Sequence, residues 1–333
     1  MVGAFVHRAV TFGAPAALLL TLVSCSSSES SSHDCAPGAD AIQNDLACAG
    51  LYSDFDARIV VSTARPFAPA ATLFTDGLEK SRWIDLPAGT KIDATAPDDW
   101  QFPVGTKVWK EFRARDRKVE TRLLWKKAEG WVVTSYVWSE DGKQAKRGEG
   151  TNLTVEGLPY HVPTQTECMD CHKGRRDIVL GFEAVSLALP AATGATLASL
   201  VQENLVAPAP AKTSLTVDPG AAYLHVNCGV SCHNDTSAAS RKDSRLRLRI
   251  ALDEASNKPL TAWQLYATTV NVKASLPAWR SGPLLAPGQP ERSVIVSAMT
   301  SGDSNDKMPP LRRDIDVEGL AAVSAFIKSV PPR

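Results

Sequence analysis

The chain has 333 residues, 44% hydrophobic and 22% charged, a balance that marks it as globular and long enough for two domains. Its 36 basic residues equal its 36 acidic ones, and the resulting net charge of zero argues against nucleic acid as a partner.

The chain opens with His7 and Arg8, an apolar run from Ala14 to Val23, and the tetrapeptide Leu22-Val23-Ser24-Cys25. The run is too short to cross a bilayer and reads as a secretory signal over residues 1–24. A small residue before Cys25 matches the end of a bacterial lipoprotein signal. It predicts a periplasmic protein held at a membrane, the outer membrane, through a lipidated Cys25. The competing reading is ordinary cleavage that leaves Cys25 free. Serines 26–28 and 30–32 then give residues 25–33 the character of a polar tether. Cys35 and Cys48 bracket a short segment that an oxidising periplasm would close as a disulfide.

Residues 34–160 read as a β-rich domain. Val, Thr, Trp, Tyr and Phe concentrate at 106–113, 119–127 and 131–139, with Glu129-Gly130 and Asp141-Gly142 as turns. The pattern predicts an antiparallel meander, folded as a sandwich or open barrel. Trp83, Trp100, Trp109, Trp125, Trp131 and Trp138 all fall in this block. Core packing is their expected role, with a sugar-stacking platform as the alternative.

Residues 161–211 form a first haem-binding segment and linker. Cys168-Met169-Asp170-Cys171-His172 is the attachment pattern of haem c. Two cysteines three apart share one side of a helical turn, so both sulfurs reach the vinyl edge of a porphyrin, and the following histidine ligates the iron. A zinc site would want a second pair at similar spacing, and a thioredoxin-like pair needs no trailing histidine. Residues 194–206 predict an amphipathic helix, and Ala207-Pro208-Ala209-Pro210-Ala211 a stiff linker.

Residues 212–333 read as an all-α, cytochrome c-like domain, which makes the whole chain α+β. A helix from about Pro219 leads into Cys228-Gly229-Val230-Ser231-Cys232-His233, a second pair with one extra residue between the cysteines. Gly229 lets that residue bulge, so haem remains feasible; a local disulfide is the alternative. Met308, in Lys307-Met308-Pro309-Pro310, is the expected distal ligand, on a strap the prolines hold extended. Arg245, Arg247 and Arg249 alternate with Leu246, Leu248 and Ile250 as a strand with one charged face, a solvated face or a neutraliser of haem propionates. A closing helix is expected over 317–328.

These residues carry a resemblance. The segments Leu73-Phe74-Thr75-Asp76-Gly77-Leu78-Glu79-Lys80, Phe102-Pro103-Val104-Gly105-Thr106, Glu120-Thr121-Arg122-Leu123-Leu124, Gly130-Trp131 through Tyr136-Val137-Trp138, Val162-Pro163-Thr164, both cysteine motifs, Pro287-Gly288 and Met308-Pro309-Pro310 follow one another in order. Together they make the chain resemble a family of bacterial periplasmic di-haem c-type cytochromes with a β-rich N-terminal half and a cytochrome c-like C-terminal half. The resemblance implies two haem c groups, one at Cys168, Cys171 and His172 and one at Cys228, Cys232 and His233, and electron transfer with redox protein partners. The family pattern has a regular CxxCH at the second site, and the extra residue here departs from it.

Two other functions compete with an electron carrier. A peroxidase- or oxidase-like enzyme would leave the first iron open, and His161, His225 and Met299 are the candidates to fill it. A binding module would dock a glycan or protein on the tryptophan-rich domain and keep the haem part for redox.

Overall fold

Val, Thr and aromatic residues, which suit a pleated packed surface, concentrate between 107 and 138 and form three long strands joined by tight turns. The structure is a computed structural model that describes residues 1, 3, 33, 35, 41–75, 77–235, 245–275, 282–303, 306–310 and 314–333. Seven strands pair in one sheet: β1 (Arg65–Ala68), β2 (Glu79–Asp85), β3 (Lys107–Ala114), β4 (Arg117–Lys127), β5 (Gly130–Trp138), β6 (Ala145–Arg147) and β7 (Thr193–Gly194). Their order is β7-β1-β2-β3-β4-β5-β6, every pairing antiparallel, so the expected meander is present as one sheet. Gly130 and Gly142 take positive φ at the predicted turns, a conformation that costs glycine little.

Both faces of the sheet are covered. On one, Trp109, Leu123, Trp125, Tyr136 and Trp138 pack against Leu46, Leu51, Tyr52 and Phe55. On the other, Ile84, Val108, Leu124 and Val133 pack beneath Phe182, Val185, Leu197 and Leu200. Trp100, Trp109, Trp125 and Trp138 are buried and Trp83 and Trp131 half-buried, so these rings are spent in the core and do not make an open stacking platform.

Eight short helices complete the described chain: α1 (Gln165–His172), α2 (Ala184–Ala188), α3 (Leu197–Gln202), α4 (Pro219–Leu224), α5 (Leu252–Asn257), α6 (Gln264–Thr269), α7 (Val294–Thr300) and α8 (Val317–Ser329). The helix expected over 194–206 is cut to α3, because Thr193–Gly194 joins the sheet as β7 and Val206–Ala207 pairs in parallel with Ile92–Asp93. Around α4 and α8 a further core gathers Tyr223, Leu224, Leu248, Ile250, Trp263, Leu285, Val323 and Phe326. The two helices approach closely at glycines. A Cβ on Gly220 would lie 2.3 Å from the Ala322 carbonyl oxygen, and one on Gly319 2.1 Å from the Tyr223 ring.

Residues 34–333, which hold the segments 34–160, 161–211 and 212–333, form one compact unit. Cys35 and Cys48 are disulfide-bonded, with Cα atoms 5.4 Å apart. All of the signal span but residues 1 and 3, together with Cys25 and almost all of the tether, lies outside the described residues. Among the described residues no helix is long and apolar enough to cross a membrane.

The strand expected at 245–250 is not formed. Leu246, Leu248 and Ile250 are buried on one side as the alternation requires, but the backbone pairs with no strand. Its N–H groups go elsewhere: Arg247 donates to Thr268 Oγ1, Leu248 to the His233 carbonyl and Ile250 to His225 Nδ1. The strand-like period is used to clamp the second cysteine motif.

Candidate functional site

The first motif begins where the sheet domain ends. Thr164 caps α1 through a reciprocal pair with Glu167, the Thr164 Oγ1 accepting from the Glu167 N–H at 3.3 Å and Glu167 accepting from the Thr164 N–H at 2.8 Å. The helix therefore starts at a fixed point, with Cys168 and Cys171 one turn apart on it. Cys168 is buried and Cys171 half-buried. His172 donates from Nδ1 to the Ile178 carbonyl at 2.5 Å, which fixes the tautomer and leaves the Nε2 lone pair available. Burial, with nearby Lys110 and Arg122, holds the ring's pKa down at about 4, so the imidazole is neutral at physiological pH. The loop beyond is pinned by buried Asp177, which accepts from the Phe102 N–H at 2.6 Å, Lys126 Nζ at 2.6 Å and Trp131 Nε1 at 2.9 Å.

In the second motif the extra residue is absorbed by the backbone. α4 runs into a π-helical turn over His225–Gly229, whose hydrogen bonds span five residues rather than four. The Val230 N–H donates to the His225 carbonyl at 2.8 Å, and the His233 N–H to the Cys228 carbonyl at 2.8 Å. The Cys228 carbonyl also accepts from the Cys232 N–H at 3.3 Å, which sets the two cysteines one turn apart. Buried Asn234 donates from Nδ2 to the Gly229 and Val230 carbonyls, both at 3.0 Å, satisfying oxygens of the widened turn. Gly229 leaves no room for a side chain: a Cβ would lie 2.3 Å from the Arg249 nitrogen. Gly229→Ala is expected to push the motif off residues 248–249, costing about 1–3 kcal/mol by overpacking. The check is a lowered midpoint in urea unfolding.

Cys228 and His233 line a small cleft of about 80 Å³ that opens to solvent. Leu246, Leu248, Ile295 and Met299 make its walls apolar, and Met308 closes it. The strap is tied in place by the Met308 N–H, which donates to the Ala298 carbonyl of α7 at 2.9 Å. Among its lining residues a histidine, a methionine and a cysteine stand together with apolar side chains, the residue types that would hold a haem. Burial pushes the Cys228 thiol up to about 12 and raises Cys168 and Cys232 as well. Among the described residues no three His, Cys, Asp or Glu side chains gather as a cation site.

No family model, curated protein or solved structure matches this chain. What the site does therefore has to follow from its own chemistry.

The three candidates for the sixth position at the first motif are all otherwise engaged. His161 is bonded to Asn152 and Glu167 on the surface. His225 is buried with Nδ1 accepting from the Ile250 N–H at 2.9 Å and Nε2 facing Glu183 at 3.3 Å. Met299 lines the cleft of the second motif. Of the three arginines, Arg249 pairs with Asp235 at 2.7 Å.

The residues that assemble the site and that sequence reasoning missed are Asn234, Asp177, Asn227 and Glu183. Asn227 precedes Cys228 and receives the Phe74 N–H at 2.8 Å while donating to the Thr72 carbonyl at 3.1 Å, so segment 72–75 is hooked onto the motif. The one available signal was proximity: Asn227 and Asn234 flank the CxxxCH hexapeptide directly.

Proposed function

We propose that this chain is a periplasmic c-type cytochrome, tethered through a lipidated Cys25, that carries two covalent haems and passes electrons between redox protein partners. One haem is assigned to Cys168, Cys171 and His172, the other to Cys228, Cys232 and His233 with Met308 opposite. The observation that carries the proposal is the one apolar cleft that Cys228, His233 and Met308 line together. The C-terminal half is proposed as cytochrome c-like, on the strength of α4 leading into the motif, α8 packed against α4 and Met308 lining the cleft with Cys228 and His233. Similarity to the di-haem periplasmic family is proposed on the same grounds.

When bound, the haems supply the one-electron iron couple. The chain's part is to fix it. His172 presents a neutral ring whose other nitrogen is held by Ile178, so a ligating nitrogen of fixed orientation is ready. The apolar wall residues exclude water from the second site, and Met308 favours the reduced state relative to a second histidine.

The experiment is expression with a working cytochrome c maturation system, followed by a reduced spectrum and a pyridine haemochrome count. Two haems per chain with c-type α-bands are expected, and a protein with no c-type band would sink the proposal. Met308→His should lower the second haem's potential by on the order of a hundred millivolts, a fraction of the roughly 0.8 V that axial ligands span. Spectroelectrochemical titration of the variant measures it.

A second reading is favoured by the engagement of His161, His225 and Met299 away from the first motif. An iron without a sixth protein ligand binds exogenous ligands, the property of peroxidase- or oxidase-like haem enzymes. Carbon monoxide binding to half of the reduced haem supports this reading, and no binding restricts the chain to electron transfer.

A further inference from the structure

The two attachment motifs lie 60 residues apart in sequence, as the spacing of Gly174 from Asn234 shows, yet their backbones touch. Gly174, two residues after His172, sits so close to Ser231, the residue before Cys232, that a Cβ on it would lie 1.8 Å from the Ser231 carbonyl oxygen and 3.2 Å from its Cα. Asn234, the residue after His233, is fully buried. Its Nδ2 donates to the Gly174 carbonyl at 3.3 Å as well as to the carbonyls of the widened turn. One side chain thus holds the two motifs together from the second motif's own C-terminal edge.

A second set of contacts locks the same junction. Glu183, eleven residues on from His172 in the first segment, faces His225 at 3.3 Å, and His225 begins the π turn that carries Cys228. The three residues from Cys171 to Gly174 span at most about 11 Å even when extended, and Ser231 is one residue from Cys232.

We infer that the two attachment sites form a contact pair, joined where Gly174 meets Ser231 and Asn234, so that an electron would pass directly between the two haems inside one chain. The inference rests on the proposed presence of both haems. The step moves one electron: one iron goes from ferrous to ferric as the other goes from ferric to ferrous, with no proton and no third reactant. The chain is then a two-site relay, in which a partner can load one haem and a different partner unload the other. Sites isolated from each other would need the same partner surface for both events.

Circular dichroism of the matured, full-length protein in the Soret region tests the pair. A bisignate couplet is expected that the summed spectra of two one-haem variants, Cys168→Ala with Cys171→Ala and Cys228→Ala with Cys232→Ala, do not reproduce. A protein with two haems whose spectrum equals that sum overturns the contact pair and leaves the cytochrome reading standing. A protein with fewer than two haems overturns both. Should either variant fail to fold, electron paramagnetic resonance of the wild type decides. The ferric signal of the half-reduced protein should be narrower than that of the fully oxidised one, because its neighbour has become diamagnetic. An unchanged line shape overturns the pair.

Discussion

Cys168→Ala with Cys171→Ala is expected to halve the haem content, from two per chain to one, and to leave the spectrum of a methionine-ligated haem. The two sulfurs are the covalent anchors, and His172 alone gives a single, exchangeable bond to iron. The complementary change, Cys228→Ala with Cys232→Ala, should also leave one haem, now without the methionine signature, since Met308 closes only the second cleft. Intact mass and pyridine haemochrome read both outcomes. A wild-type protein that carries one haem, lost on changing the first pair and unaffected by changing the second, would show that the widened turn does not support attachment.

Glu183→Ala should cost about 3–5 kcal/mol of folding stability, the range for removing one partner of a buried charged cluster. The carboxylate caps α2, accepting the Val185 and Ser186 N–H groups at 2.8 Å each, and it faces His225 and Arg175 in the interior. Burial alone would raise its pKa, but His225, Arg175 and the Ser186 contact outweigh it and hold the group at about 2, below its ordinary value of 4.5. The sign for stability follows from that depression. The contribution is fully present above pH 4.5 and is lost as the pH falls from 4.5 towards 2, because the unfolded chain takes up the proton first. Urea unfolding across that window should show the wild type losing stability faster than Glu183→Gln, which keeps an acceptor but does not titrate. Parallel curves would remove Glu183 from the acid response.

The legible parts of this molecule are those whose chemistry is local in sequence. β3 to β5 show because β-branched and aromatic residues concentrate in them, and Gly130 and Gly142 mark the turns before and after β5. The two cysteine motifs and Met308 show because their spacing and scarcity are written along the chain. The rest depends on partners far away. Residues 245–250 have a strand's alternation, and nothing in their sequence says that their N–H groups answer His225, His233 and Thr268 instead of another strand. α3 is shorter than its apolar period because both of its ends are captured by strands, near Phe67 and near Ile92. Gly229 signalled a bulge, but only the structure shows it as a π turn held by Asn234.

The crowding around Gly229 and Cys168 also imposes an order on the protein's manufacture. In the finished fold, residues 248–249 lie against Gly229 without space for a methyl group, and Cys168 is sealed beneath the sheet domain. An attaching enzyme has no path to such a thiol. Under the proposed function, thioether formation would belong to the still open chain, and the closing of 245–250 and of segment 72–75 over the motifs would follow it.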